Sequence, residues 1–245
     1  MERTPSGTSI IPDKSFEPPH NNTLICCDKE AADMVETHFK RRSPDSLHER
    51  ILRNLIRNLI KSPSPVDEMA LDIILTMMDS IFFGGVLSGR VRWEWSHPSQ
   101  QRFKTELIGT TALRPAAQGG FETLIVLSSP ILQHPGYDPR LLLSAFLHEL
   151  VHCYLFIQCG FEAREQEGHT DGFHLIVGII DKWADQDNLR LCDMRANLDH
   201  FRNDRGRVMD AKVDAFRDHR HDGCNQSPRP RRQSLENVSV YPGWT

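Results

Sequence analysis

The feature that most constrains this chain is an apolar stretch with three titratable residues at its centre. Residues 141–158 read LLLSAFLHELVHCYLFIQ, a length and composition typical of a buried helix. Asp138 and Pro139 precede it and are typical residues for an N-cap and a first helical turn. Burying a polar side chain without a partner costs roughly 2 kcal/mol or more, so these residues need a compensating interaction.

The three polar residues, His148, Glu149 and His152, form an H-E-x-x-H motif. Positions four apart share one face of a helix, so the two imidazoles can bind the same zinc ion. Glu149 lies next to His148, where its carboxylate can accept a proton from a water on the metal. This pattern predicts a zinc-dependent hydrolase. The alternative is a core helix with two hydrogen-bonded histidines.

A catalytic zinc usually has three protein ligands, so the motif needs a third. The histidine spacing that would mark a metzincin is absent after His152. We favour His169, which precedes a helix predicted to begin near Thr170, because a side chain at such a junction can reach back over the previous helix. Glu167 would instead give a His2Glu site and Asp171 a His2Asp site. The other candidates downstream are Glu162, Glu165 and His174.

Composition suggests one domain with tails. Only 39% of the 245 residues are hydrophobic, below the usual share for a fully globular chain. The apolar residues concentrate in residues 46–202, which we expect to form the folded domain. Residues 1–45 are predicted to be mostly disordered, although residues 30–39 could form a short helix. Residues 203–245 are predicted to be a disordered basic tail; between 205 and 232 there are eight Lys or Arg and four Asp.

Charge and cysteine content bear on location and partners. The N-terminus has no basic region followed by an apolar one, and the six cysteines form no C-x-x-C pair, so we expect a nuclear or cytoplasmic protein that is not secreted. No uninterrupted apolar run reaches the roughly 18 residues of a membrane span.

Two basic features could contact nucleic acid. One is the basic tail, and the other is a set of arginines off the apolar stripe of a predicted helix, Arg50, Arg53 and Arg57. A solvated face is the alternative for both.

Apolar periodicity predicts the remaining elements. Helical spacing favours helices over residues 46–60, 66–83 and 170–183, and alternation favours strands. The predicted strands cover residues 91–95, 103–111 and 121–127.

Over residues 66–200 the chain resembles the SprT-like metalloprotease family, which includes Spartan. The resemblance rests on residues 79–87, 91–96 and 124–128, and on H-E-L-V-H followed by Gly168-His169 and Phe173. Two features depart from the family pattern. Thr-Asp-Gly stands at 170–172 where members commonly have Gly-Pro-Glu, and the paired cysteines of a C-terminal zinc ribbon are absent.

The resemblance implies a compact α+β, zincin-like domain with helices packed on a small sheet. It also implies Zn²⁺ bound by His148, His152 and His169, with Glu149 as the catalytic residue. The partner would be a protein substrate paired with an edge strand, for which residues 121–127 are the candidate. DNA-bound or chromatin proteins, including DNA–protein crosslinks, are one expected substrate class. The alternatives are a non-catalytic zinc-binding adaptor and a nucleic-acid-associated protein of the same fold.

Overall fold

The computed structural model describes residues 27–62, 64–105, 107–184, 189–192 and 195–203. These residues form an α+β fold in which helices pack on a three-stranded sheet, as predicted. The helices are α1 (Asp28–Arg41), α2 (Leu47–Lys61), α3 (Glu68–Met78), α4 (Arg102–Thr105), α5 (Ser129–Leu132), α6 (Pro139–Cys159) and α7 (Asp171–Trp183). The strands are β1 (Val91–Trp95), β2 (Gly109–Pro115) and β3 (Phe121–Leu127); a π-turn covers Asp79–Phe83, and 3-10 segments cover Gly160–Gly168 and Arg195–Phe201.

The predicted helices begin and end at recognisable signals. The Ser46 side chain caps α2 by accepting a hydrogen bond from Glu49 N, and Asp67 caps α3 in the same way. After the π-turn, Gly84 adopts φ +65°, a left-handed conformation that glycine reaches without strain and that ends the helical segment. Local sequence therefore accounts for these helix boundaries.

Within the segment expected to be mostly disordered, residues 28–41 form α1, which contains the short helix considered for residues 30–39 and extends beyond it at both ends. Ala31, Ala32 and Val35 of α1 are buried in the main hydrophobic core. Small side chains at 31 and 32 let this helix lie close to its neighbours, which compensates for a helix with few large apolar residues. The predictions for residues 1–26 and 204–245 lie outside the described residues.

The order of strands corrects a second expectation. The sheet runs β1-β3-β2, with β1 parallel and β2 antiparallel to β3. Phe121–Leu127, expected to be an edge strand, is therefore the central one. Its run of buried side chains fits this position, because a strand covered on both faces need not alternate with polar residues.

The second strand also differs from its prediction. Residues 103–111 were expected to be extended, but α4 occupies Arg102–Thr105 and β2 begins only at Gly109. Phe103 packs with Leu107 and Val126 in a small separate cluster, so a helical turn buries its ring. The predicted turn at Gly119-Gly120 is present, and both glycines have positive φ.

Helix α6 lies at the centre of the fold, against the sheet. It contacts β3 and β2 on one side and α1 and α7 on the other. Within the described residues, one helical stretch, Pro139–Gly168, is long and apolar enough to cross a membrane, but 83% of the qualifying window is buried inside the protein. A helix at the centre of a protein core meets the same criterion of length and hydropathy.

Candidate metal centre

Helix α6 brings two histidines of the motif onto one face. Asp138 caps this helix by accepting a hydrogen bond from Arg140 N, and Pro139 occupies the first turn, as predicted. The Nε2 atoms of His148 and His152 are 3.1 Å apart. A one-turn separation on a regular helix is sufficient to produce this approach.

The third histidine reaches the pair from the loop before α7. Residues Gln166 and Glu167 have φ of 50° and 61°, and Gly168 follows with φ 83°, so the backbone reverses just before His169. The Nε2 atom of His169 then lies 3.3 Å from Nε2 of His148. Ligand atoms of the three histidines all lie within 4.8 Å of one another.

The alternative third ligands lie outside this cluster. Glu167 and Asp171, which would have given a mixed histidine–carboxylate site, are exposed to solvent. The remaining candidates, Glu162, Glu165 and His174, are exposed as well. The structure thus assembles the trio that the sequence analysis favoured: His148, His152 and His169.

Two glycines allow the loop to close on the site. Gly160 adopts φ +60°, and an ideal Cβ there would lie 2.6 Å from Cε2 of Phe121. At Gly168 an ideal Cβ would lie 3.1 Å from Cε1 of His152. Both contacts are tighter than side chains normally tolerate, so any larger residue would push the loop away from the histidines.

Neighbouring groups fix the orientation of the rings. Nδ1 of His148 hydrogen-bonds the carbonyl oxygen of Leu191 at 2.7 Å; with the proton on Nδ1, Nε2 carries the free lone pair. The ring of Phe173 stacks on His152 at 4.5 Å between centroids and meets His148 and His169 edge-on at 4.9 and 4.8 Å. One aromatic side chain therefore supports all three imidazoles.

Burial keeps the histidines of α6 neutral. Desolvation lowers the pKa of His148 to about 4, with the hydrogen bond to Leu191 acting in the opposite direction. Desolvation, followed by the proximity of His148 and His169, lowers the pKa of His152 well below its ordinary value. Neutral imidazole is the form that binds metal, so His148 and His152 are in their ligating state at neutral pH.

The spacing of the nitrogens fits zinc. With Zn–N distances of about 2.0–2.1 Å, ligands of a tetrahedral site are separated by about 3.3 Å. Two of the three nitrogen pairs, His148–His152 at 3.1 Å and His148–His169 at 3.3 Å, match that edge length, and all three pairs lie within 4.8 Å. Among the described residues no fourth side chain joins the three histidines. Three imidazoles alone are the donor set of an open zinc site, which leaves one position for water or substrate.

Glu149 directly follows His148 in α6, and its side chain is held by strand β2. Its side chain is 5% exposed, and its Oε2 accepts a hydrogen bond of 2.7 Å from the hydroxyl of Thr111. An ideal Cβ on Gly109 would lie 2.8 Å from Oε1, so only glycine leaves room for the carboxylate at this point of the strand. The sequence analysis identified Glu149 but missed Thr111 and Gly109, because no local pattern relates them to a residue 38 or more positions away.

Sequence comparison supports what the geometry indicates. The model of the SprT-like family matches residues 71–193, which is half of the 245-residue chain. The chain belongs to the SprT-like family. Neither the curated proteins nor the solved structures gave a significant match. Because this family is associated with zinc metalloproteases, the cluster of three histidines in this SprT-like domain is compatible with a site of that type.

The family match covers only part of the folded unit. All three histidines, Glu149 and Thr111 lie inside the matched region. Helices α1 and α2 precede it, yet both contribute to the same hydrophobic core. These two helices are therefore part of the folded unit, although the family match does not extend to them.

Proposed function

We propose that this chain is a zinc-dependent endopeptidase. The observation that carries the proposal is the combination of a buried carboxylate, Glu149, directly after His148 in α6, with three histidines whose ligand atoms lie within 4.8 Å of one another. A purely structural zinc site has four protein ligands and needs no neighbouring general base. A carboxylate held next to an open three-histidine site is instead the arrangement used for hydrolysis.

Each residue of the site has a separate role in the proposed reaction. When bound, zinc would supply a Lewis acid that activates water and polarises the scissile carbonyl. His148, His152 and His169 would hold it through Nε2. Glu149 accepts the proton of the attacking water and delivers it to the leaving amine. Thr111 keeps the carboxylate in one orientation through both transfers.

We infer that the substrate binds as an extended strand along β2. This strand pairs with β3 on one side, and within the described residues no strand pairs with its other side. An open strand edge can hydrogen-bond a peptide backbone with little dependence on side chains. Gly109 and Thr111 of β2 contact Glu149, so a peptide on this edge would pass the catalytic carboxylate.

A DNA-bound or chromatin protein remains our proposal for the substrate class. Within the described residues, α2 offers limited support. Arg53 pairs with buried Glu49 and lies over the ring of Trp183, and Arg57 also has an interaction within the fold, whereas Arg50 is exposed. Two of the three arginines of α2 thus make contacts within the protein. Whether DNA stimulates the activity has to be tested directly.

The test measures zinc content and proteolysis on the same samples. Wild type, Glu149→Gln and a control, Glu162→Gln at an exposed glutamate of the following loop, are incubated with an unfolded protein and with histone, each with and without single-stranded DNA. We expect about one zinc per chain in all three proteins. Cleavage should occur with wild type and Glu162→Gln but not with Glu149→Gln. Stimulation by DNA would support the DNA-bound substrate class.

The other outcomes distinguish the alternatives. Zinc in every protein with cleavage in none would favour a non-catalytic zinc-binding adaptor. Cleavage by Glu149→Gln at the wild-type rate would contradict the role of Glu149. Absence of zinc from wild type would refute the metal site and leave the histidines as core residues.

A further inference from the structure

The N-terminal turn of α7 is held by a residue that is distant in the sequence, at the start of α1. Thr170, the N-cap of α7, directly follows His169 and accepts a hydrogen bond from Phe173 N. The Oδ2 atom of Asp28, at the start of α1, accepts a hydrogen bond of 3.0 Å from Gly172 N. Asp28 also hydrogen-bonds the side chain of Thr170. One carboxylate therefore binds two of the three residues that follow His169.

Gly172 makes this contact sterically feasible. An ideal Cβ at this position would lie 2.5 Å from the backbone oxygen of Asp28 and 2.9 Å from its Oδ2. Such distances are far below normal contact, so α1 and α7 can meet here only at a glycine. Gly172 belongs to the Thr-Asp-Gly segment that departs from the usual family pattern. The departure coincides with the point at which α1 contacts the first turn of α7.

The same helix is also fixed to α6, which carries the other two histidines. The hydroxyl of Tyr154 donates a hydrogen bond of 3.0 Å to the carbonyl oxygen of Ala31 in α1. Tyr154 is 2% exposed and lies two residues after His152. Its ring stacks on Phe83 at 4.9 Å, so it has little freedom to follow a displaced α1.

His169 depends on such external support. The segment before it contains Gln166 and Glu167 in consecutive left-handed conformations, at a kink between two helical turns. A kinked segment of this kind positions a side chain less rigidly than a regular helix does. The residues that follow His169 supply a further constraint, and Asp28 binds two of them.

We propose that α1 is a positioning element for the metal centre, and that Asp28 is the positioning residue that fixes His169 relative to His148 and His152. The inference rests on the proposed zinc site. Asp28 acts through the backbone and cap of α7 and does not itself contact the metal. The helix bridges the two ligand-bearing elements, to α7 through Asp28 and to α6 through Tyr154.

The experiment compares zinc affinity, by competition with a chelator, in the 245-residue chain and four variants. Asp28→Ala removes the carboxylate that holds α7. Tyr154→Phe removes only the hydroxyl that contacts α1, a change small enough to preserve folding. Asp67→Ala is the matched control, because Asp67 also accepts a backbone hydrogen bond at a helix N-terminus, 2.7 Å from Ala70 N, on a helix without ligands.

We expect Asp28→Ala to weaken zinc binding about tenfold and Tyr154→Phe severalfold, as is usual when groups that orient ligands are lost. Asp67→Ala should lower the unfolding temperature of the metal-free protein but leave zinc affinity at the wild-type value. The visible absorption of the Co²⁺-substituted protein should change in Asp28→Ala and not in Asp67→Ala. Asp28→Asn, which keeps an oxygen acceptor for Gly172 N, should recover most of the affinity.

Two results would overturn the inference while leaving the proposed function intact. One is wild-type zinc affinity in Asp28→Ala. The other is an equal loss of affinity in Asp28→Ala and Asp67→Ala, which would show that general destabilisation is responsible. Failure of wild type to bind zinc is a separate result, and it would remove both the proposed function and this inference.

Discussion

The hydroxyl of Thr111 donates a hydrogen bond of 2.7 Å to Oε2 of Glu149, joining strand β2 to the centre of α6. Both side chains are buried, Thr111 at 7% and Glu149 at 5% exposure. In such surroundings a hydrogen bond to a carboxylate is stronger than in water, so its loss weakens the hold on the buried Glu149 carboxylate. In the proposed mechanism, this hydrogen bond makes Thr111 a residue that orients Glu149 for proton transfer.

Replacing Thr111 by Val should therefore reduce catalysis without removing the metal. Valine has nearly the same shape but cannot donate a hydrogen bond to Glu149. We expect kcat for peptide cleavage to fall on the order of tenfold, with KM and zinc content close to wild type. Thr111→Ser, which keeps the hydroxyl, should retain most of the activity.

Thr110→Val provides the control, because the adjacent residue of β2 points to the other face of the strand. Equal losses of kcat in Thr110→Val and Thr111→Val would mean that the strand as a whole is sensitive to valine. In that case the hydrogen bond to Glu149 would not be the cause.

Gly160→Ala should destabilise the domain. The backbone there has φ +60° and ψ −133°, a region accessible essentially to glycine alone, and the added methyl group would meet the ring of Phe121. We expect the free energy of unfolding to fall by about 2 kcal/mol or more, measured by urea denaturation.

Gly178→Ala is the matched control, and we expect it to change the free energy of unfolding in the opposite direction. Gly178 is exposed within α7, and an ideal Cβ there has no neighbour within 4 Å. Alanine in a helix interior is favoured over glycine by roughly 0.5–1 kcal/mol, so this variant should be slightly more stable than wild type. If Gly160→Ala were as stable as Gly178→Ala, the proposed steric role of Gly160 would be wrong.

Much of the helical framework could be predicted because its signals are local. Apolar periodicity and capping residues indicated α2, α3 and α7, and the motif on α6 placed His148 and His152 on one face. His169 was favoured from its place at a loop–helix junction. The spacing of a few residues encodes each of these features, so one sequence is enough to detect them.

The features that were missed depend on contacts between distant parts of the chain. Nothing in residues 121–127 distinguishes a central strand from a buried edge strand until the pairing partners are known. Helix α1 lies in a polar segment and is ordered by packing of Ala31, Ala32 and Val35 against other helices. Thr111 acquires its role only when β2 folds over α6. Sequence patterns of period 2 or 3.6 contain no information on such pairings.

His169→Ala should weaken zinc binding far more than loss of either carboxylate that the sequence also allowed. Groups that merely orient ligands are worth 10–100-fold in affinity, so loss of a ligand should cost more than about 100-fold. Glu167→Ala and Asp171→Ala, at exposed positions, should leave affinity unchanged. Chelator competition on the three variants checks this assignment. A large loss in Glu167→Ala with little in His169→Ala would transfer the third ligand to the carboxylate.

Acid should destabilise the metal-free protein in a window set by His148. Its pKa is about 4 in the folded state and near 6.5 in the unfolded chain, so below 6.5 the unfolded chain binds a proton that the folded protein excludes. The free energy of unfolding should therefore fall as the pH drops from 6.5 towards 4, by up to roughly 3 kcal/mol from this residue, with His152 acting in the same direction.

Urea denaturation with a chelator present, between pH 7.5 and 4.5, measures the effect. His148→Ala should reduce the pH dependence, whereas His134→Ala, at an exposed histidine outside the cluster, should not. Unchanged pH dependence in His148→Ala would show that a different group controls acid stability.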